Sequence, residues 1–149
     1  MLRKKRQSKY GKRGAIGPSW RFTWDEVACN DGVGIPTRYL DEAVRQGKAL
    51  NKLRRVIAKH YGVHTKDVYI RVNSWYRTPA YNEHVGGKSN SRHLVGDATD
   101  ITVTVRTVGF LDPKTVARLA TAVPEFENGG IGVYPMFTHL DSRGYKARW

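Results

Sequence analysis

With a single cysteine, Cys29, the chain has no partner for an internal disulfide and no CxxC motif for a metal or a redox pair. Cys29 therefore reads as a small buried residue. Acidic residues are also scarce, 13 Asp and Glu against 26 Lys and Arg, for a formal charge of +13. Nowhere does the sequence approach the roughly 18 consecutive apolar residues that cross a bilayer. The residues from Gly11 to Ser19 do not supply the apolar run of about 7 to 15 residues that a secretory signal carries behind its basic start. No internal repeat is visible. These features exclude a disulfide scaffold, a membrane-spanning helix and a solenoid.

What remains is a chain of 149 residues, long enough to bury a core without staples. The boundaries expected are a flexible basic arm over residues 1–19 and one domain over 20–149. The arm holds Arg3, Lys4, Lys5, Arg6, Lys9, Lys12 and Arg13 with no apolar periodicity among them. The charge implies attraction to some polyanion at low salt without saying which.

Apolar residues recur at Leu40, Ala43, Val44, Leu50, Leu53 and Ile57, which predicts a helix from Leu40 to Tyr61 with Gly62 as its C-terminal cap. Val68, Ile70 and Val72 alternate with polar neighbours, as in a half-buried strand. The stretch from Ser74 to Ser91 is rich in Gly, Asn, Ser and Pro, and a loop of that length in a compact domain is usually functional. Alternation returns over Asp97 to Val105. Asp112-Pro113 opens a short helix that stops before Pro124. Asn128-Gly129-Gly130 then turns the chain into two strand pieces, Ile131 to Tyr134 and Phe137 to Asp141. The fold expected is α+β, an antiparallel sheet with helices packed to one side.

The segment Ser91-Arg92-His93-Leu94-Val95-Gly96-Asp97-Ala98-Thr99-Asp100 places a histidine and a carboxylate seven residues apart. Gly96 permits a tight turn, and the strand that follows aims Asp100 back towards His93. On the later strand Phe137, His139 and Asp141 share a face. If those two strands are neighbours, His93, Asp100 and His139 converge. Two imidazoles and one carboxylate are a donor set for a single zinc ion with one position left open, the requirement of catalytic zinc.

The pattern Ser91-x-His93-x-x-Gly96-x-Ala98-x-Asp100 resembles the first zinc motif of the peptidase M15 family, the D-alanyl-D-alanine carboxypeptidase group, which includes phage endolysin-like peptidases. Further segments are similar to that group in the same order. They are Phe22 to Glu26, Ser74 to Asn82, Val85-Gly86-Gly87, Gly130 to Pro135, Phe137 to Asp141 and Ala147-Arg148-Trp149. The resemblance implies the hedgehog/D-Ala-D-Ala peptidase fold and zinc held by His93, Asp100 and His139. It also implies that Arg77 pairs with a substrate carboxylate, a task suited to a permanently charged planar fork. Ser91 and Tyr134 join Arg77 as expected substrate-binding residues. Several relatives carry an acidic residue three positions before the last zinc histidine, and here that position is Met136, which moves no proton. Asp141 is the nearest acid on the right face, as the base or as a residue orienting His139. Glu127 and Asp97 are weaker substitutes. His60, His64 and His84 receive no role.

These readings converge on hydrolysis of amide bonds in peptidoglycan peptides, by a carboxypeptidase or an endopeptidase. Anionic wall polymers would draw the basic surface, and a monomer with no specific nucleic acid is expected. With no export signal, the source expected is a bacteriophage endolysin or a virion-associated lysin, acting at the cell wall after release through a pore or from the particle, with a truncated or mature bacterial form as the alternative. Two rivals belong to other classes. One is a zinc-stabilised wall-binding domain without catalysis, favoured by Met136. The other is a basic nucleic-acid-binding protein, disfavoured by Asp100 and Asp141 near the expected site.

Overall fold

The computed structural model describes residues 21–149, so the basic arm and Trp20 lie outside the described residues. These residues group into two compact units, residues 21–48 with Ser74–Thr99, and Ala49–Asn73 with Asp100–Trp149.

In the first unit, helix α1 (Trp24–Val27) is closed by a capping box in which Thr23 and Glu26 satisfy each other's backbone N–H groups. Trp24 and Val27 turn inward, and Phe22 meets Trp75 edge to face with ring centroids 5.8 Å apart. Cys29 is buried as expected. The segment after Ser74 is more ordered than its composition suggests, because Thr78 caps and Pro79 starts a short helix, α3 (Pro79–His84). A 3₁₀ turn over Arg92–Val95 follows and ends on Gly96, whose φ of +83° is a left-handed value suited to glycine. A Cβ there would also sit 2.6 Å from Ile35 Cδ1.

The long helix α2 (Leu40–Tyr61) has the bounds its periodicity predicts. Gly62 follows at φ +66°, and Val63 N–H bonds back to Ala58 O at 2.9 Å. His60 therefore lies on the helix and His64 beyond it, where its Nδ1 accepts from Lys66 N–H.

The second unit is built on a sheet of strands β1 (Val68–Ser74), β2 (Ala98–Val105), β3 (Gly109–Phe110), β4 (Gly130–Val133), β5 (Thr138–Asp141) and β6 (Ala147–Arg148). The order is β1-β2-β5-β4-β6, with β3 paired to β2. The β2–β3 and β4–β5 pairs are antiparallel, and β6 adds a parallel edge to β4. Helices α4 (Pro113–Ala120) and α5 (Pro124–Glu127) pack on β4 and β5. The α+β class agrees with the sequence reading, and the parallel edge makes the sheet mixed.

Leu50, Leu53, Ile57, Ile101, Phe126 and Leu140 are fully buried in this unit. Leu53→Ala is expected to cost about 2–5 kcal/mol, since the lost transfer energy adds to an unfilled cavity. Urea unfolding would measure it, and a loss below about 1 kcal/mol would mean that Leu53 is not a core residue.

Two glycines of β4 clear the space around its partner strand. In the β4–β5 register Gly130 faces Asp141 and Gly132 faces His139. A Cβ on Gly130 would lie 2.2 Å from Asp141 Oδ2, and one on Gly132 would lie 2.5 Å from the Trp149 indole.

Candidate metal centre

Strand β5 carries His139 and Asp141 on one face, and its neighbour β2 carries Asp100. His139 stands between the two carboxylates. Its Nδ1 is 3.0 Å from Asp100 Oδ1 and its Nε2 is 2.8 Å from Asp141 Oδ2. All three side chains are buried. Burial works against a protonated imidazole, but hydrogen bonds and charge from Asp100 and Asp141 outweigh it and raise the His139 proton affinity above the usual histidine value. The same pull acts on any cation brought to that ring.

Asp141 is anchored from every side. Its Oδ1 accepts from Gly130 N–H at 2.9 Å, Arg143 N–H at 3.2 Å and Arg143 Nε at 2.8 Å. Its Oδ2 takes Arg143 Nη2 at 2.7 Å as well as His139 Nε2. Burial pushes its pKa up, but Arg143 and His139 prevail and hold the carboxyl well below the usual carboxylate range.

His93 sits in the 3₁₀ turn, where Ser91 Oγ accepts its backbone N–H at 3.3 Å. Its Nδ1 lies 2.6 Å from Trp75 O. A carbonyl oxygen only accepts, so Nδ1 carries the hydrogen and Nε2 is left in the acceptor form that binds metal. At His139 the Nε2 faces a carboxylate held by an arginine, so with an ion in place of the Nδ1 proton the hydrogen stays on Nε2 and Nδ1, on the Asp100 side, is the donor atom. Histidines that ligate metals are usually oriented in this way, by an acceptor on the other ring nitrogen. One ligand atom each from His93, Asp100 and His139 lies within 4.8 Å of the others. The donor set therefore fits one divalent ion, and two imidazoles with one carboxylate suit zinc.

The remaining expected residues are engaged locally. Arg77 bonds Ser74 Oγ through Nε at 3.1 Å and Asn82 Oδ1 through Nη1 at 3.3 Å, which fixes the plane of its guanidinium. Tyr134 stacks on Phe137 with centroids 4.5 Å apart and accepts from Trp149 Nε1 at 2.9 Å. Asp97 is buried between Arg45 and Arg92, with Arg92 Nη2 at 2.6 Å. Glu127 pairs with Lys146 and Arg148. Met136 is solvent-exposed.

Three contributors were not assigned from the sequence: Trp75 through its carbonyl, Arg143 beneath Asp141, and Trp149 beside the His139 ring at 4.9 Å between centroids. Arg143 had a readable signal, since residues two apart on an extended chain share a face. The Trp75 carbonyl had none, because any residue offers one.

No curated protein matches the chain. The family model described as Peptidase M15 matches residues 20–141, a span that contains His93, Asp100, His139 and Asp141. With most of its length matched, the chain belongs to the peptidase M15 family of metallopeptidases.

Proposed function

We propose that the protein is a zinc-dependent peptidase that hydrolyses amide bonds in peptidoglycan stem or cross-bridge peptides. The observation that carries this reading is the donor set of His93, Asp100 and His139, in which each histidine is oriented by an acceptor on its other nitrogen. Zinc, when bound, polarises a scissile carbonyl and acidifies water.

The chain's own residues supply the rest. Arg77, held by Ser74 and Asn82, would pair with a substrate carboxylate and set the peptide's register. Ser91 and Tyr134 would contact the bound peptide through their hydroxyls. Asp141 orients His139 rather than accepting a proton, because both its oxygens are occupied by strong donors and its proton affinity is depressed. Asp97 and Glu127 are likewise tied to basic partners.

The charge of +13 supports a target among anionic wall polymers, with an attraction that fades as salt rises. A bacteriophage endolysin or virion-associated lysin is the biological setting proposed. Among the described residues, no helix is long and apolar enough to cross a membrane.

A second reading, a zinc-stabilised wall-binding domain without catalysis, is favoured by Met136, which is exposed and stands where the family resemblance implies an acid in several relatives. One experiment separates the two. Purified cell walls are incubated with the protein, with chelator-stripped protein and with stripped protein given zinc, and new amine ends are counted. Release that vanishes on stripping and returns with zinc is expected. Release that survives stripping ends the zinc assignment, and zinc uptake without release selects the binding domain.

A further inference from the structure

The contacts that reach His139 continue outward as an exposed aromatic ledge. Trp149, whose ring lies beside that of His139, is 49 % exposed. Its indole N–H is bonded to Tyr134, which is 37 % exposed and stacked on Phe137 with planes 12° apart. Met136, 70 % exposed, sits in the turn between those two rings. The Arg143 guanidinium carbon lies 5.3 Å from the Trp149 ring and 5.4 Å from that of Tyr145.

This apolar surface is rigid. Val133 N–H bonds to Trp149 O at 2.9 Å, Trp149 N–H to Ile131 O at 3.2 Å, and Tyr134 N–H to Phe137 O at 3.0 Å. Gly132 leaves the room in which the indole rests. A contiguous patch of exposed rings, held in place and touching a residue of the metal centre, is the mark of a ligand surface, since order fixed in advance lowers the entropy lost on binding.

Its chemistry narrows the ligand. The indole N–H is donated to the Tyr134 oxygen, which keeps its own hydrogen for a ligand, and Asp141 is buried against Arg143. Beyond that one hydroxyl, ring faces and a thioether are what the ledge presents. A peptide backbone brings N–H and C=O groups that each need a partner. The C–H face of a pyranose brings none, and its weakly positive hydrogens suit the negative face of an aromatic ring.

We propose that Trp149, Tyr134 and Met136 form a sugar-binding ledge beside His139, which seats a pyranose ring of the glycan that carries the substrate peptide. The proposal rests on the peptidoglycan-peptidase reading and adds the glycan to what the site recognises.

Two substrates test it: a stem pentapeptide alone, and the same pentapeptide on an N-acetylglucosaminyl-N-acetylmuramic acid disaccharide. Trp149→Ala, Met136→Ala and Gly132→Ala, which displaces the indole, should each raise KM more for the disaccharide substrate than for the bare peptide. The difference should reach about tenfold for Trp149→Ala, the upper range for one aromatic stacking contact. Separately, an N-acetylglucosamine tetramer should change the tryptophan fluorescence of the zinc-loaded wild type and leave that of Trp149→Ala unchanged. Equal losses on both substrates, with no response of the wild type to the tetramer, would overturn the ledge while leaving the peptidase reading intact. Tetramer binding through Trp149 in a protein that cleaves neither substrate would sink the peptidase reading and keep the ledge.

Discussion

Asp100→Ala is expected to strip the protein of zinc and to lower peptide hydrolysis by at least about 100-fold, the upper range for losing a mere orienting partner of a metal ligand. Asp100 is the only anionic member of the donor set, so its removal takes away both a ligand and the charge that draws a cation to two neutral imidazoles. His139 then loses the partner of its Nδ1 at 3.0 Å while keeping Asp141 on its Nε2. Metal content by atomic absorption and hydrolysis by amine release would be read together, with circular dichroism to confirm that the chain is folded. Full zinc occupancy with activity near wild type would show that these three side chains are not the metal site.

Asp141→Asn should have the second largest effect, and on two quantities at once. The substitution leaves Arg143 facing a neutral amide in a buried setting, and breaking such a pair costs about 3–5 kcal/mol. At this chain length that corresponds to a fall in Tm of roughly 6–20 °C. The amide can also turn its NH₂ towards His139 Nε2, which would reverse the ring's hydrogen and remove its orientation. Zinc affinity should fall about 10–100-fold. Calorimetry with and without zinc separates the contributions: the stability loss appears in the stripped protein, and the affinity loss appears as a smaller gain on adding zinc. Wild-type values for both would mean that the Arg143–Asp141–His139 series is incidental.

The elements readable in the sequence are those whose own period or cap specifies them. Helix α2 repeats its apolar positions over six turns and closes on Gly62, so its bounds follow from the residues alone. Strands β2 and β5 alternate clearly, and their adjacency then brings Asp100 to His139. Short elements escaped for a physical reason. Helices α3 and α5 have six and four residues, too few to show a period. Strands β3 and β6 have two each and exist only through pairing with β2 and β4, contacts made far along the chain. The same limit applied to the centre. Ligand types and spacing marked His93, Asp100 and His139, whereas Arg143 and Trp149 owe their places to how β5 and β6 are held against β4. Gly130 reads as part of a turn and Gly132 as part of a strand piece, and in the sheet they are the clearances that admit Asp141 and Trp149.

Trp75 grips the 3₁₀ turn at two points, its carbonyl on the His93 ring and its indole N–H on Gly96 O at 2.9 Å. Arg77 N–H adds a third hold on His93 O at 3.0 Å. The His93 imidazole is thus held by contacts with the protein itself. An ion reaching that ring meets an Nε2 already in acceptor form, unlike in miniature domains that collapse only around their metal. Stripped protein should accordingly stay compact in storage and regain an ion on simple addition, which makes substitution by cobalt, with its visible absorption, a practical way to watch the centre fill.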